Sequence, residues 1–552
     1  MRKLIYILFI FPVLVFSQPK DIDYKSDRTN LDEEKYPGAF IFNKVTNQVY
    51  FKHEGIEVWC DQAIFYQKEN FFKAFGNVKM QQGDTIKMRS KYAEYDGNSK
   101  FAFASDNVSL KTPENRLQTD SLFFDRQKQE AFYRSGGQVR DSLSTITSQR
   151  GTYFMEKEKY SFREDVVVTH PQYVIHSDHI DFYTKSAHAY LYGPSTIEGD
   201  ESTVYCERGF YDTRADEGYF IKNSNVKYEQ RDLYGDSIYF NRENSYAAAT
   251  NDVKVIDTIN ASTLYGQFAE VFRAKDSLIV TGLPHVATLQ EGDKKQDSLF
   301  IASDTIVLKG KDINRDISAF YDVRIYKSDM SGKSDSLHVD EKTGLTKMIG
   351  NPVLWSFDNQ ITGDTIELIS NKETEKLDSL KVFDNSFMIQ RDSIDGYNQV
   401  KGKYLYGLFE DSELYEVNVI KNTETIYFIR EDDGQLFGIN KSLAARIKML
   451  LEDREVTDIY YYNQPEDKTY PEEDFSENAR KLKGFLWRGD EELTKKSDLF
   501  TDRKTFKKKL IKGIEDPEEE EERPSKFEIN EKSTLNSRPE KKDIKIKESD
   551  SE

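Results

Sequence analysis

The feature that most constrains this chain is an internal repeat. A short signature, a polar residue or two followed by Val and then apolar alternation, recurs through most of its length. It reads Gly76-Asn77-Val78, Asp106-Asn107-Val108, Gly137-Gln138-Val139 and Glu164-Asp165-Val166, then Ser224-Asn225-Val226, Asn251-Asp252-Val253, Pro284-His285-Val286, Tyr321-Asp322-Val323 and Asn351-Pro352-Val353, with a weaker copy at Pro194-Ser195-Thr196. The spacing is about thirty residues, the range of solenoid and repeat architectures. A second signature, Asp-Ser/Thr-Leu/Ile, keeps step with it at Asp84-Thr85-Ile86, Asp120-Ser121-Leu122, Asp236-Ser237-Ile238, Asp304-Thr305-Ile306, Asp335-Ser336-Leu337 and Asp364-Thr365-Ile366. Two signatures that alternate along the chain rarely arise by chance.

Within a unit the apolar period is two, the strand period. Ile86, Met88 and Tyr92 fall on one side while Lys87, Arg89 and Lys91 fall on the other. Helical spacing is not sustained between residues 40 and 430. The 33 Tyr and 36 Phe suit half-buried pleated surfaces. Each unit reads as two long or four short strands, apolar on one face, with Gly, Asn and Asp of the first signature placed at tight reversals. Such a unit cannot bury its face alone, so stacked units folded into two facing sheets are expected. The fold class is therefore all-β, an elongated β-jellyroll or solenoid of repeats. The facing apolar rows form either a filled core or an open groove, and the candidate lining residues are Val78, Met80, Ile86, Met88, Phe101, Phe103, Val108, Leu110, Val166, Val168, Val253 and Val255.

Arg2 and Lys3 followed by the apolar stretch Leu4 to Phe16 read as a secretory signal peptide over residues 1–17, cleaved between Ser17 and Gln18. A linker (18–38), a repeat domain (39–435), a C-terminal β/α capping segment (436–496) and a charged, disordered tail (497–552) follow. Residues 443–462 suit a hairpin turning at Asp453-Arg454-Glu455, with a helix over Leu443–Leu451 as the rival, and residues 474–483 suit one short helix.

A formal net charge of −19 argues against nucleic acid, which needs a basic face. No G-x-S-x-G, H-E-x-x-H or phosphate-binding loop is present, and the many carboxylates suit turns and wet strand faces, so no enzyme, cofactor or catalytic residue is expected. The best metal candidate is the cluster His170, His176, Asp178, His179 and Asp181. On a regular strand His176 and His179 point to opposite faces, leaving at most His176 and Asp178 with His170 from a neighbour, so no metal is expected. Cys60 and Cys206 fall in similar phases of units about five apart, at least ~20 Å by strand spacing, too far for a disulfide.

The stretch from Ala74 through Gly76-Asn77-Val78 to Met88, with aromatic-Asp ends at Tyr95-Asp96, Phe124-Asp125 and Tyr211-Asp212 and their counterpart Phe240-Asn241, resembles the repeat of the OstA/LptA family. The likeness runs over roughly residues 40–490 and extends to long OstA-like proteins of Bacteroidota-type bacteria, whose C-terminal section is similar to Pro465 through Tyr470-Pro471 and Gly484-Phe485-Leu486-Trp487. It implies a periplasmic, non-enzymatic β-jellyroll holding lipid A acyl chains of lipopolysaccharide between its sheets. It also implies end-to-end β-augmentation with inner- and outer-membrane transport components, and self-association. Two rivals remain open: a filled-core repeat scaffold or surface adhesin, and an enzyme of the polysaccharide-lyase kind on a β-solenoid.

Overall fold

A computed structural model describes residues 21–517, apart from 201, 291–296, 311–313, 373, 375, 393–395, 411–412, 432, 453–454 and 464. The signal peptide with its cleavage point, and the tail from residue 518, lie outside the described residues. Among those described there is no α-helix, only antiparallel strands and short 3₁₀ turns. The chain divides into a first unit, Met1–Tyr192 with Glu515–Glu552, and a second, Gly193–Ile514.

Each unit is a succession of long strands paired with the next in sequence. In the first, Phe71–Gln82, Ile86–Asp96, Phe101–Lys111 and Arg116–Asp125 pair in order. In the second, Ser202–Asp212, Glu217–Tyr228, Arg231–Asn241, Tyr246–Asp257 and Ser262–Phe272 do the same. The aromatic-Asp ends are the hairpin turns. The carboxylate of Asp96 accepts the backbone N–H groups of Asn98 and Ser99, Asp125 accepts those of Gln127 and Lys128, and Asp212 those of Arg214 and Ala215. An Asp side chain bonding backbone two and three residues on closes such a turn locally.

The first signature is not a reversal, which corrects the expectation. Gly76 and Asn77 have φ of 71° and 42° yet sit inside the strand Phe71–Gln82, and the pairs Asp106/Asn107, Glu164/Asp165, Asn251/Asp252 and Tyr321/Asp322 lie likewise within strands at positive φ. Pairing continues on both sides with one extra residue: Phe75 faces Tyr92, and the next partners are Val78 and Ser90. This is a bulge, which bends a strand without ending it. Asn, Asp and Gly tolerate left-handed backbone best, which explains their recurrence there. The second signature is the facing half of the same bend. The Asp304 N–H donates to Tyr321 O, the Asp335 N–H to Gly350 O, and the Asp364 carboxylate accepts from the Asn385 side chain. A neighbouring hydroxyl closes the bend on its own strand, as Ser90 Oγ to Tyr92 O, Thr119 Oγ1 to Ser121 O and Ser334 Oγ to Ser336 O. Asp84-Thr85-Ile86 is the exception; it lies at a hairpin, and its strand bends at Ser90.

Bending turns both arms of a strand onto one core. Phe72 and Ala74 before the bend and Val78 and Met80 after it belong to one buried cluster with Phe42, Phe51 and Val58. In the second unit Ala249, Val253 and Val255 join a cluster continuing through Leu264, Val280 and Ile306 to Val417 and Ile447.

Toward the C-terminus, residues 443–451 are strand. Leu436–Glu452 pairs with Glu413–Arg430 and forms a hairpin with Glu455–Tyr462 whose turn residues 453–454 are not described. The sheet thus runs through the boundary placed at 435. In place of one helix over 474–483 there are 3₁₀ turns at Glu472–Asp474 and Glu477–Arg480, because Pro471 and the following acidic run offer no apolar period for a longer helix. Residues 471–510 fold back as a strap over the outside of the second unit. Phe475 and Leu482 pack on Phe387, Ile389, Ile426, Phe428 and Ile439, the face opposite the inner Met388. Gln399 binds the strap at Arg480 O and Leu482 N, and Gln360 does so at Leu486 O and Arg488 N. Arg503 reaches Ser303 O and the Asp322 backbone and carboxylate, and Lys508 reaches Asp252. The unstructured tail expected from Ser497 therefore begins with anchored chain, in which Leu499 is fully buried beside Ala302. Polar composition concealed this, because the anchors are pairings with distant acidic bends.

Candidate functional site: an apolar trough between the arms

The bends align the inner side chains into cross-strand ladders. In the first unit one ladder follows the bend: Met80 faces Met88, which faces Leu110, which faces Leu117. It continues through Val139 and Ile146 to Val168 and Ile175. The other precedes the bend, from Phe65, Phe72 and Tyr95 through Ala102, Phe124 and Ala131 to Tyr153, Tyr160 and Phe182.

Of the residues nominated from sequence, Val78, Met80, Met88, Val108, Val166 and Val168 are buried on the inner side in the first unit, and Val253 and Val255 in the second. Ile86 and Leu110 are inner and half-buried. Phe101 and Phe103 point the other way: Ala102 and Ala104 take the inner positions, and the two rings lie tilted or edge-on against Phe123 and Phe132 on the outer face. Leu117, Ile146, Tyr153, Tyr160, Ile175 and Phe182 were missed, although stepping by two from each signature Val and reading across the hairpin finds them.

The trough is unevenly filled. From Phe42 to Val108 the inner side chains other than Ile86 are closed over, and Phe42, Phe51, Phe65 and Phe72 each keep 1 % of their surface. From Leu110 onward both ladders loosen in part: Leu110, Leu117, Ile146, Tyr153, Tyr160, Ile175 and Phe182 are half-buried, while Phe124, Ala131, Val139 and Val168 stay buried between them. A cavity of about 30 Å³ lies there, lined by Leu110, Leu117, Ala131, Tyr133, Val139, Tyr153, Tyr160 and Phe162. That is room for about two water-sized bodies. The second unit starts loose, with Val204, Tyr211, Val226, Tyr228 and Phe240 half-buried, and closes from Ala249 onward. Neither a filled core nor an open groove holds throughout, because in each unit a stretch of close packing adjoins a looser one.

The ladders between Leu110 and Phe182 carry no charged side chain, whereas in the second unit Arg231 and Asp257 share the side of the inner Leu233 and Val255 at the strand ends, with Arg315 buried against Asp257. Burial pushes the Tyr133 phenol up to about 12, with Ser148 pulling slightly the other way. Burial likewise raises the Tyr153 and Tyr160 phenols. In this stretch of the first unit the charged groups lie outside. On the outer face Lys159 Nζ is 3.1 Å from Asp181 Oδ2, and His179 Nε2 is 2.8 Å from Asp181 Oδ1 and 3.0 Å from Ser161 Oγ. Burial raises the Asp181 carboxyl, but His179, Ser161 and Lys159 more than offset this and hold it below the usual range. His176 shares this outer face, since the bend at Ser177 shifts the phase by one, correcting the opposite-face expectation. His170 instead stacks on Tyr173. Among the described residues no three His, Cys, Asp or Glu side chains are placed to hold a metal ion. Cys60 and Cys206 are both free and buried, and burial pushes each thiol up to about 12.

In each unit the fold is an antiparallel β-roll built from repeats, with apolar ladders between its arms. Residues 22–178 match the family model of the OstA-like proteins, and residues 145–374 match that of the LptA/(LptD N-terminal domain) LPS transport proteins. The two matches overlap and together span more than half of the sequence; the chain belongs to the OstA-like/LptA family of lipopolysaccharide-transport proteins. Among solved structures it is similar to LptH of Pseudomonas aeruginosa, the LptA-homologous periplasmic component of the lipopolysaccharide transport device. Identity is 14 %, covering 26 % of this chain and 93 % of that one, with a TM-score of 0.20. No curated protein matches the chain. Among the described residues no helix is long and apolar enough to cross a membrane.

Proposed function

We propose that this chain is an exported periplasmic carrier that holds the lipid A acyl chains of lipopolysaccharide in the trough and hands them toward the outer membrane, without covalent chemistry. The observation that carries the reading is the pair of facing apolar ladders that loosen, without acquiring charge, between Leu110 and Phe182. Each methylene taken from water contributes about 0.8 kcal/mol, so such a lining holds hydrocarbon without specific polar contacts. Leu110, Val166 and Val168 serve as its walls, while Val78, Met80, Ile86, Met88 and Val108, and Val253 and Val255 in the second unit, belong to the closely packed stretches. Partner components and further copies join by β-augmentation; the strand Glu455–Tyr462 pairs, among described residues, only with Leu436–Glu452, so its other edge is available. The test is to purify Ile175→Asp and the outward Thr147→Asp from a lipopolysaccharide-containing envelope and quantify bound lipid by mass spectrometry. Ile175→Asp is expected to lose the lipid and Thr147→Asp to keep it; equal retention overturns the reading.

A second reading, a filled scaffold or adhesin, draws support from the close packing of Phe42–Val108 and of the second unit from Ala249 onward. It predicts that wild-type protein carries no lipid.

A further inference from the structure

We infer that, in the first unit, hydrocarbon is confined to the trough between Leu110 and Phe182, and that the strands up to Val108 form a dry plug that hydrocarbon does not enter. This rests on the carrier reading and adds where the cargo sits, and that the N-terminal end of this unit is not its doorway.

The plug is built of aromatic rings in contact. Phe51 stacks on Phe72 with centroids 4.1 Å apart and planes 3° apart; Phe42 lies against Phe51 and Phe65 at 6.1 Å each, and Tyr24 stacks on Phe42 at 4.8 Å. Tyr95 closes the group against Phe72 and is pinned by two polar partners, His53 Nδ1 at 2.7 Å and Arg126 Nη1 at 3.2 Å from its hydroxyl. Phe42, Phe51, Phe65, Phe72 and Tyr95, buried in mutual contact, leave little volume for a chain to occupy. Rigid rings cannot fold aside as a Met or Lys side chain does. Beyond Val108 buried inner residues such as Phe124 and Phe162 alternate with Leu110, Leu117, Ile146, Tyr153, Tyr160 and Ile175, which keep part of their surface open, and a cavity lies among them. The rings of Tyr153 and Tyr160 offer broad apolar sides for hydrocarbon tails.

The native full-length protein can be loaded with lipopolysaccharide whose acyl chains carry a diazirine, irradiated, and mapped by peptide mass spectrometry, with no substitution that could disturb folding. Adducts within residues 110–182 are expected to exceed those within residues 40–104 by about tenfold or more, a ratio reached once the burial of two methylene groups is lost. Comparable labelling of the Phe65–Tyr95 segment overturns the plug while leaving the carrier reading in place. Labelling only beyond Tyr192 overturns the assignment to the first unit, again without touching that reading. No adducts anywhere in the chain overturn both.

Discussion

The most demanding test of the second unit's energetics is Arg315. Its side chain keeps 1 % of its surface, donates from Nη1 to Asp257 Oδ2 at 3.1 Å and Ser262 Oγ at 2.8 Å, and from Nε to Glu341 Oε2 at 2.9 Å. It ties together the ends of four strands, since Asp257 ends one, Ser262 opens the next, and Arg315 and Glu341 flank the Asp316–Asp340 hairpin. Removing one member of a buried ion pair costs about 3–5 kcal/mol, because the remaining charge is stranded. Asp257 retains Arg231 at 3.3 Å and the Asn260 N–H, and Glu341 is partly exposed, so Arg315→Met belongs at the lower end, about 3 kcal/mol. Native-state hydrogen exchange is the suitable assay, because a large repeat sheet opens in parts. Amides of Ser262–Phe272 and Asp316–Lys327 are expected to lose about two orders of magnitude of protection, the equivalent of that energy. The pH dependence has a definite sign. Burial raises the Asp257 carboxyl, but Asn260, Arg315 and Arg231 more than offset it, so its folded pKa lies below the unfolded value near ~3.9. Its contribution is present above that value and lost as pH falls through the folded pKa. Arg315→Met should therefore flatten the acid limb below about pH 4. Unchanged protection at neutral pH together with an unchanged acid limb would refute the reasoning.

Gly350 has φ of 81° and an added Cβ would meet Asp335 Oδ2, so Gly350→Ala should cost about 1–3 kcal/mol and lower exchange protection at that bend. Gln360→Leu strands Leu486 O and Arg488 N–H of the strap; a loss of about 1–3 kcal/mol of local stability should appear as faster tryptic cleavage after Arg488, with cleavage elsewhere unchanged. Both thiols should resist maleimide in the folded protein from pH 7 to 9 and react on adding denaturant; modification of Cys60 without unfolding would contradict its packing.

Much of the architecture could be read from residues alone, because a strand's two-residue period and a recurrent bend leave direct marks. Val78, Val108, Val166 and Val253 stand on the inner side as the alternation requires. The bend itself was misjudged, since Gly, Asn and Asp favour left-handed backbone equally in a reversal and in a bulge; only pairing to neighbouring strands distinguishes them. The same ambiguity affected the histidines, where an unforeseen phase shift moved His176 to the side of His179. Phe101 and Phe103 misled for another reason. Large rings were chosen for the interior, but the outer face of these strands is itself covered by an aromatic row, and parity counted back from Val108 selects Ala102 and Ala104. The degree of filling was not legible, because Leu110 and Val108 look alike in sequence and differ only in what packs over them.

The strap has a consequence for how the protein is made. Its anchors join residues far apart in order of synthesis: Leu486 meets Gln360, Arg503 meets Ser303, and Lys509 meets Asn251. Synthesis runs from the N-terminus, so the hairpins of the second unit are complete before the polypeptide that fastens them has left the ribosome. Until then the patch around Phe387, Ile389 and Phe428 is bare. A product ending near residue 470 would carry every hairpin yet display that patch permanently, which gives quality control a simple means of telling finished molecules from prematurely terminated ones.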